Sequence, residues 1–325
     1  MAGPAVTTVS GPAVTGTTPT SAVVTDAITL TPADPVAADL AFTAVTQPCP
    51  WPKAYGGDMV AAAAAAAMRS VTDGKTVHSM HSYFLRPVDI GAPVHYDVEI
   101  VRDGRRFATR QVRALQNGKT AYLALTSFAA GGESGSTASV APADLPAPDE
   151  LPSSAQYLAD RPVTDDATMT EVSKQYWSAG RGVDMRHVPG PIYLDVEGGR
   201  DPQQALWIRP FDALRPVSGL TDAQRDLAAL AYACDYTILE PVLRALGHPW
   251  AEPGLVTASL DHAMWFHRAP APGVLDGWLL YTQEALSADA GRGVGLGRFF
   301  TPDGIHLATV VQEGMIDPTR QGAVT

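Results

Sequence analysis

The sequence predicts an α+β protein in which one structural plan, a helix followed by four antiparallel strands, occurs twice in tandem. The length of 325 residues suits two domains of ordinary size better than one core. Each half contains one helical segment and then four runs with the composition and alternation of strands. The turn pairs Asn117-Gly118 and Asp303-Gly304, which are typical of tight hairpins, occur at corresponding places in the two halves.

The composition excludes several classes of function. Lys and Arg number 23 and Asp and Glu number 34, a net charge of −11, which disfavours binding to nucleic acid or to an anionic membrane surface. The two cysteines, Cys49 and Cys234, are too few for a disulfide framework and fit a reducing compartment. No apolar run approaches the roughly 20 residues of a membrane span, and the N-terminal stretch has no signal-peptide pattern. We therefore expect a cytoplasmic protein with no nucleic-acid or membrane partner.

The first half begins after a segment that we expect to be a disordered tail, residues 1–28, which is rich in Ala, Thr, Val, Pro and Gly and has no periodicity. The first domain is predicted to span residues 29–130. Its helix begins at Gly56 and runs through Ser70, and the seven consecutive alanines at its centre favour a helix that approaches a sheet closely. The predicted strands are 77–86, 94–102, 106–116 and 120–128.

The second half follows a predicted linker, residues 131–154, whose Gly, Ser and Pro content is typical of flexible connections. The second domain is predicted to span residues 155–317, with a short tail at 318–325. Its helix begins at the capping-box sequence Thr221-Asp222-Ala223-Gln224 and runs toward Asp235. The predicted strands are 256–267, 278–286, 293–301 and 305–312.

Three polar residues lie in apolar surroundings. Asp235 follows Cys234 in an apolar helix, where a carboxylate is costly to bury unless it is hydrogen-bonded, so it is either functional or an exposed or capping aspartate. Ser259 is either functional or a strand serine bonded to a neighbour. Gln312 follows two valines, and its amide can donate and accept hydrogen bonds at once, although a glutamine at the rim of a sheet is the alternative. The residues alone leave these alternatives open.

Other combinations of polar residues favour no additional chemistry. Strict alternation places Asp261 on the same strand face as Ser259, and His262 on the opposite face. Because no G-x-S-x-G elbow is present either, a hydrolase triad is disfavoured. His78 and His81 are three apart on a predicted strand and also face opposite ways, which argues against a shared metal, so we expect no metal site.

A glycine alternation begins just before the third predicted strand of the second half and continues into it. It consists of Gly291, Gly293, Gly295 and Gly297. Because it follows no strand-to-helix pattern, it is poor evidence for a dinucleotide-binding loop, and we interpret it as a bulged strand or one that another segment approaches closely. Cys234 is interpreted as a buried core residue rather than a nucleophile.

Several segments of the chain resemble a known family. They are KTVHSMHSYFLRPVDIGAPVHYDVEIVRDGRRFATRQVRALQNGK in the first half and AYACDYTIL, LDHAMWFHR and VVQEGM in the second, and they make the chain similar to the acyl-CoA thioesterase II family from about residue 36 to residue 317. The resemblance implies a tandem (double) hotdog, in which each half is a central helix wrapped by a curved antiparallel sheet. It also implies hydrolysis of medium- to long-chain acyl-CoA to free fatty acid and coenzyme A, with no cofactor, by a homodimer or higher homo-oligomer.

The family has catalytic residues at positions that match three residues of this chain. The acid corresponds to Asp235, the hydroxyl to Ser259 and the amide to Gln312. The resemblance implies that Asp235 accepts a proton from a water molecule held by the other two residues, and that this water attacks the thioester carbonyl. The alternatives from other classes are a hotdog enoyl-CoA hydratase and a non-catalytic acyl-CoA-binding module.

Four further residues are candidates for substrate contacts, namely Gly57, Asp58, Arg105 and Arg106. The family has glutamine after the glycine pair that starts the helix, and this chain has Asp58 there, which is either a substrate contact or an acidic residue favourable to the helix dipole. Arg105 and Arg106 belong to a positively charged hairpin of an acidic protein. This hairpin is either a solvated surface or a site that attracts the phosphates of coenzyme A.

Overall fold

The computed structural model describes residues 19–131, 137–162 and 170–318. Two halves with the same arrangement share one continuous antiparallel sheet, and the longest helix of each half packs on the same face of that sheet. Among the helices in these three ranges, none is long and apolar enough to cross a membrane.

In the first half, two strands precede the long helix and four follow it. The elements are helix α1 (Ala22–Ala27), strands β1 (Thr31–Ala33) and β2 (Leu40–Val45), helix α2 (Gly56–Arg69), and strands β3 (Thr76–Phe84), β4 (Pro93–Asp103), β5 (Phe107–Gln116) and β6 (Lys119–Ala129). The predicted helix and its four strands are confirmed to within two residues at each end. The sequence prediction lacks β1 and β2, because β1 has only three residues and two adjacent buried residues interrupt the alternation of β2.

The expectation of a disordered tail through residue 28 is wrong for its last part. Helix α1 buries Val24 and Ala27, and Ile28 after it is 0% exposed. Ser21 Oγ donates a hydrogen bond of 2.8 Å to the carbonyl oxygen of Gly182, which lies in the other half of the chain. The apolar residues of this segment are too few to form a recognisable period, and they are buried because elements of both halves, α2 and α5 among them, pack against the segment. Residues 1–18 lie outside the described residues.

In the second half, two strands again precede the long helix. The elements are helices α3 (Ser154–Ala159) and α4 (Glu171–Gln175), strands β7 (Val183–Val188) and β8 (Gln203–Pro210), helices α5 (Asp222–Ala233) and α6 (Glu240–Leu246), and strands β9 (Val256–Ser259), β10 (Asp261–Phe266), β11 (Leu279–Asp289), β12 (Arg292–Phe300) and β13 (His306–Asp317). The prediction lacks β7 and β8. The buried face of β8 includes the polar residue Gln204, which hides the strand from an apolar pattern search.

The expected linker has little regular structure where it is described. Residues 137–153 contain one short 3₁₀ turn, Pro148–Glu150. This segment nevertheless packs on the sheet, since Trp207 Nε1 donates a hydrogen bond of 2.8 Å to the carbonyl oxygen of Pro146. Residues 132–136 of the expected linker and 319–325 of the expected C-terminal tail lie outside the described residues.

One sheet joins the two halves. Its strand order is β1-β2-β4-β5-β6-β3-β10-β13-β12-β11-β8-β7, with β9 paired to β13. The two halves meet at the β3–β10 pair, where Met80 lies opposite Met264. From this pair outward, the strands of the first half follow in the order β6, β5, β4, β2 and β1, and the corresponding strands of the second half in the order β13, β12, β11, β8 and β7. Helix α2 lies against α5, and its alanines 61 to 67 are each at most 1% exposed. The double hotdog is therefore confirmed, and its alanine-rich helix allows the close approach that the sequence predicts.

A β-bulge separates β9 from β10 and changes which residues face the helices. Ser259 lies opposite Gly314, but Ala263 lies opposite Val311, so the β9–β10 segment contains one residue more than its partner at Leu260. As a result both Ser259 and His262 face the interior. The prediction that they lie on opposite faces is wrong because it assumes an unbroken strand.

The alternating glycines of β12 form a bare surface under the segment that follows α5. A Cβ atom on Gly295 would lie 2.1 Å from the carbonyl oxygen of Ile238, and one on Gly293 would lie 2.4 Å from Val242. The interpretation as a closely approached strand is therefore confirmed. These glycines allow the chain from Ile238 onward to lie directly on the sheet.

Candidate active site

Asp235, Ser259 and Gln312 meet at one hydrogen-bonded cluster between the helices and the sheet. Asp235 lies in a 3₁₀ turn, Cys234–Tyr236, that continues α5. Its Oδ1 accepts hydrogen bonds from Ser259 Oγ at 3.0 Å and from Gln312 Nε2 at 2.6 Å. Gln312 Nε2 also donates to Ser259 Oγ at 2.9 Å. Three residues from a helix end and two strands are thus held by their own hydrogen bonds.

The local fold explains how each member of the cluster reaches it. The bulge at Leu260 turns Ser259 toward the helices. Gln312 follows the regular alternation of β13, whose inward residues include the fully buried Val310. The strands β9 and β13 are paired, so the hydroxyl and the amide lie side by side below Asp235.

The first half completes the site with the N-terminus of α2. The backbone N–H of Gly57 donates a hydrogen bond to the Asp235 carboxylate. A Cβ atom on Gly56 would lie 2.5 Å from Asp235 Oδ2, so only glycine leaves room for this carboxylate at the helix start. The positive end of the helix dipole also favours a carboxylate here. Gly57 therefore lies beside Asp235, and its predicted contact with the substrate stays a prediction. Gly56 is a further residue beside Asp235 that the sequence analysis did not select.

The surroundings of Asp235 raise its pKa. Burial disfavours the charged carboxylate and is the largest influence, whereas the hydrogen bonds from Gln312, Ser259 and Gly57 favour it, and the net pKa lies above the usual value for aspartate. A carboxylate with a raised pKa binds a proton more readily, which is a property of a general base.

Asp58 lies in the protein interior, one residue beyond Gly57. It is 2% exposed, and its Oδ2 accepts a hydrogen bond of 2.7 Å from the backbone N–H of Gln47. Its Oδ1 has no hydrogen-bond partner among the residues of the described ranges. Burial raises the pKa of Asp58 to about 7, the N–H of Gln47 lowers it, and the negative charge of Asp235 raises it further. The two carboxyl groups therefore influence each other.

Arg105 and Arg106 do not join this site. They are exposed in the turn between β4 and β5. Arg110 anchors that hairpin by donating to Ser70 Oγ at 2.8 Å and pairing with Asp103 at 2.8 Å, so the hairpin lies at the C-terminal end of α2. Because a helix of 14 residues is about 21 Å long, the turn is far from Asp235 at the other end.

Cys234 and His262 form a buried pair beside the site. The Cys234 Sγ lies 3.2 Å from His262 Nε2, and the two residues are 0% and 1% exposed. Burial raises the pKa of the Cys234 thiol and lowers the pKa of His262 to about 3, so both groups are neutral. Asp261 points away and accepts a hydrogen bond of 3.0 Å from the backbone N–H of Glu313. The pair is therefore part of the core, as the sequence suggests for Cys234, and Asp261 bonds to the Glu313 backbone rather than to His262.

An aromatic cluster, which the sequence analysis did not select, lies on the other side of Asp235. Tyr55 stacks on Tyr236 with ring centroids 4.1 Å apart, and its hydroxyl donates to the carbonyl oxygen of Tyr232 at 2.7 Å. The sequence feature that could have predicted this cluster is the spacing of Tyr232 and Tyr236, which are four residues, about one helical turn, apart on either side of Asp235. Tyr55 connects the loop before α2 to the end of α5.

Comparisons with known proteins agree along most of the chain. The family model of the acyl-CoA thioesterase N-terminal domain matches residues 46–129, and that of the acyl-CoA thioesterase C-terminal domain matches residues 148–316. Human acyl-coenzyme A thioesterase 8 is 33% identical over 273 residues, which are 82% of this chain and 81% of that protein. Acyl-CoA thioesterase 2 of Haemophilus influenzae is 30% identical over 283 residues, 86% of this chain and 92% of that protein.

A solved structure shows the same fold. The crystal structure of an acyl-CoA thioesterase II from Mycobacterium marinum superposes with a TM-score of 0.69 at 31% sequence identity. The match covers 90% of this chain and 98% of that chain, so both hotdog halves are included.

Proposed function

Because this chain belongs to the acyl-CoA thioesterase II family, we propose that it hydrolyses medium- to long-chain acyl-CoA to free fatty acid and coenzyme A with Asp235 as the general base. The protein is a thioester hydrolase whose substrate is acyl-CoA. The observation that carries the proposed mechanism is the carboxylate of Asp235, bonded at one oxygen by both Ser259 and Gln312.

The first step is activation of water. Oδ1 of Asp235 already accepts two hydrogen bonds, while Oδ2 faces the bare Gly56. Gln312 Oε1 is buried and has no hydrogen-bond partner within the described ranges, so it can accept one O–H of a water molecule. Asp235 accepts the other proton as the water oxygen attacks the thioester carbonyl.

The second step is collapse of the tetrahedral intermediate. We assign stabilisation of its oxyanion to the N–H of Gly56, because an N–H in the first turn of a helix has no partner within that helix and Gly56 lies beside Asp235. The N–H of Gly57 is already bonded to the Asp235 carboxylate. The C–S bond then breaks, the acid is released, and the coenzyme A thiolate takes the proton from Asp235. No covalent intermediate is needed.

The proposed preference for longer acyl chains rests on the apolar and aromatic surroundings of the carboxylate. Phe84 lies beside Gly56, and the stacked rings of Tyr55 and Tyr236 lie on the other side of the turn. An acyl chain bound between the helices and the sheet would contact these groups, and each buried CH₂ contributes about 0.8 kcal/mol.

The test is release of free thiol from a panel of acyl-CoAs, from acetyl to palmitoyl, by the wild type and by Asp235→Asn. We expect the variant to be at least about 10²-fold slower in kcat while it remains folded. Asp226→Asn is the matched control, because Asp226 is a 2% exposed carboxylate of α5 that pairs with Arg225 away from the site. Equal activity of Asp235→Asn and wild type would refute the role of Asp235, and hydration of an enoyl-CoA with an intact thioester would support the hydratase alternative.

We also propose that the protein forms a homodimer or a higher homo-oligomer through the outer face of the sheet. One aligned row of residues crosses five strands there, Leu125, His81, Ala263, Val311 and Leu296. Leu125 at its end is 49% exposed, and a mainly apolar row of this kind favours contact with a second copy. Light scattering should show an oligomer that Leu125→Glu dissociates, whereas Leu286→Glu, at a 52% exposed leucine outside the row, should not.

A cytoplasmic location is proposed on the chemistry of the cysteines. Cys49 and Cys234 are both free thiols, and neither pairs with the other. Free thiols persist in a reducing compartment. Fractionation of the native host should place the protein with cytoplasmic markers, and recovery with an oxidising compartment would contradict the proposal.

A further inference from the structure

Strand β11 holds the turn that carries Asp235 on both sides of that residue. The hydroxyl of Tyr281 donates a hydrogen bond of 2.9 Å to the carbonyl oxygen of Cys234, immediately before Asp235. Gln283 Nε2 donates a hydrogen bond of 2.8 Å to Thr237 Oγ1, two residues after Asp235. Tyr281 and Gln283 are 1% and 3% exposed, so both bonds are shielded from water.

We propose that Tyr281, Gln283 and Thr237 are positioning residues of the hydrolysis, which keep the Asp235 carboxylate in reach of the attacking water. The inference rests on the proposed role of Asp235 as the general base. The three residues act through the backbone of the turn and not by touching the substrate. A displacement of the order of 1 Å in a catalytic group can reduce the rate about 10²-fold, so a turn fixed at both ends has a direct effect on catalysis.

The amide of Gln283 has a fixed direction. Its Oε1 accepts a hydrogen bond of 2.7 Å from Gln204 Nε2, which leaves its own Nε2 for Thr237. Gln204 is oriented by two charged groups, because its Oε1 accepts from Arg244 Nε at 3.2 Å and its Nε2 donates to Glu240 Oε2 at 3.0 Å. Reversal of either amide would place donors against donors, so the charges determine the orientation of both amides.

Glu240 closes this network as a buried carboxylate. It is 1% exposed, accepts a hydrogen bond of 2.9 Å from Trp250 Nε1, and lies 3.3 Å from His187 Nε2. Burial alone would raise the pKa of Glu240, but the charge of His187 and the hydrogen bonds to the carboxylate outweigh it, and the pKa lies below the usual value. The backbone N–H of Glu240 donates to the carbonyl oxygen of Thr237 at 2.9 Å. The network therefore returns to the turn that it supports.

The sheet lies in close contact with the end of the turn. The carbonyl oxygen of Ile238 lies against Gly295, where a Cβ atom would be only 2.1 Å away. Tyr281 itself stacks on Phe299 with ring centroids 3.9 Å apart, so its hydroxyl is presented from a packed ring. Removal of the hydroxyl alone should therefore free the turn without collapse of the packing around the ring.

The experiment compares Tyr281→Phe and Thr237→Val with matched controls from the first half. Tyr96→Phe removes a hydroxyl from a 1% exposed tyrosine, and Thr126→Val removes one from a 0% exposed threonine. We expect the two turn variants to lose about 10- to 10²-fold in kcat for acyl-CoA hydrolysis with KM changed by less than about twofold. The two controls should keep kcat within about threefold of wild type. This should hold even if their unfolding midpoints fall as far as those of the two turn variants.

The pH profile and a conservative variant separate positioning from general stability. If the turn shifts, the bonds that lower the pKa of Asp235 weaken, so the acid limb of kcat/KM should move to higher pH in both turn variants. Thr237→Ser retains a hydroxyl and should restore most of the activity lost in Thr237→Val. Full activity of the turn variants, a change in KM alone, or equal losses in the controls would overturn the inference. Asp235→Asn is measured in parallel to distinguish the two roles. If Asp235→Asn is active, Asp235 is not the general base. If Asp235→Asn is inactive and Tyr281→Phe is fully active, only the positioning role is refuted.

Discussion

The substitution Asp58→Asn should remove a pH-dependent loss of stability. Asp58 is 2% exposed, and only one of its carboxyl oxygens has a hydrogen-bond partner among the described residues, the backbone N–H of Gln47. Asparagine has nearly the same shape and keeps an oxygen for that N–H, but it carries no charge at any pH. The variant therefore isolates the effect of ionisation at this position.

The sign and size of the effect follow from the pKa of Asp58. The folded protein raises this pKa from 3.8 to about 7, mainly by burial, so folding favours the protonated carboxyl. The stabilisation is complete below about pH 4 and is lost as the pH rises through about 7. A difference of about three pKa units corresponds to about 4 kcal/mol, at about 1.4 kcal/mol per unit. Wild type should therefore lose up to about 4 kcal/mol relative to Asp58→Asn between pH 4 and pH 7.

Denaturant unfolding of both proteins at pH 5, 6, 7 and 8 provides the measurement. The difference between their free energies of unfolding should change in favour of the variant up to about pH 7, and it should be level above that. Titrating groups that do not interact with Asp58 cancel in the difference. An unpaired amide in the variant would add only an offset that does not depend on pH. A difference that stays constant within about 0.5 kcal/mol across this range would refute a raised pKa at Asp58.

Three further predictions concern the site and the N-terminal helix. Gly56→Ala should reduce kcat/KM at least about tenfold in a thiol-release assay, because its methyl group would lie 2.5 Å from Asp235 Oδ2, and unchanged kinetics would contradict this contact. The acid limb of kcat/KM of the wild type should lie above the usual aspartate range, and a limb near pH 4 would contradict a raised pKa of Asp235. Gln312→Leu should move the limb to still higher pH, because the hydrogen bond that it removes lowers the pKa of Asp235. Ile28→Ala should cost about 2–5 kcal/mol in denaturant unfolding, because Ile28 is 0% exposed, and a loss below about 0.5 kcal/mol would show that the segment contributes little.

Much of the fold can be predicted from local sequence patterns. The alternation in β3 to β6 and the turn pair Asn117-Gly118 depend on residues near in sequence, and their bounds agree with the structure to within two residues. The alanine run of α2 likewise determines a helix by its own propensity. Strands such as β1 and β7 lack such patterns, because their pairing partners and not their own residues stabilise them.

The candidate site divides in the same way. The family resemblance of the sequence selects Asp235, Ser259 and Gln312 as candidates, and the structure brings these three together. The bulge at Leu260 is a property of the pairing between β9, β10 and β13, so a pattern within one strand does not reveal it. The contact of Gly56 with Asp235 joins two halves of the chain, and only their packing decides it.

The charged residues show most clearly what local sequence patterns do not predict. The sequence determines that Arg105 and Arg106 are neighbours and that Asp58 follows a glycine pair. The tertiary structure decides that the two arginines lie at the far end of α2 and that Asp58 is buried near Asp235. The physical reason is that periodicity and propensity act over a few residues, whereas burial and electrostatic interaction depend on distances that only the packed chain defines.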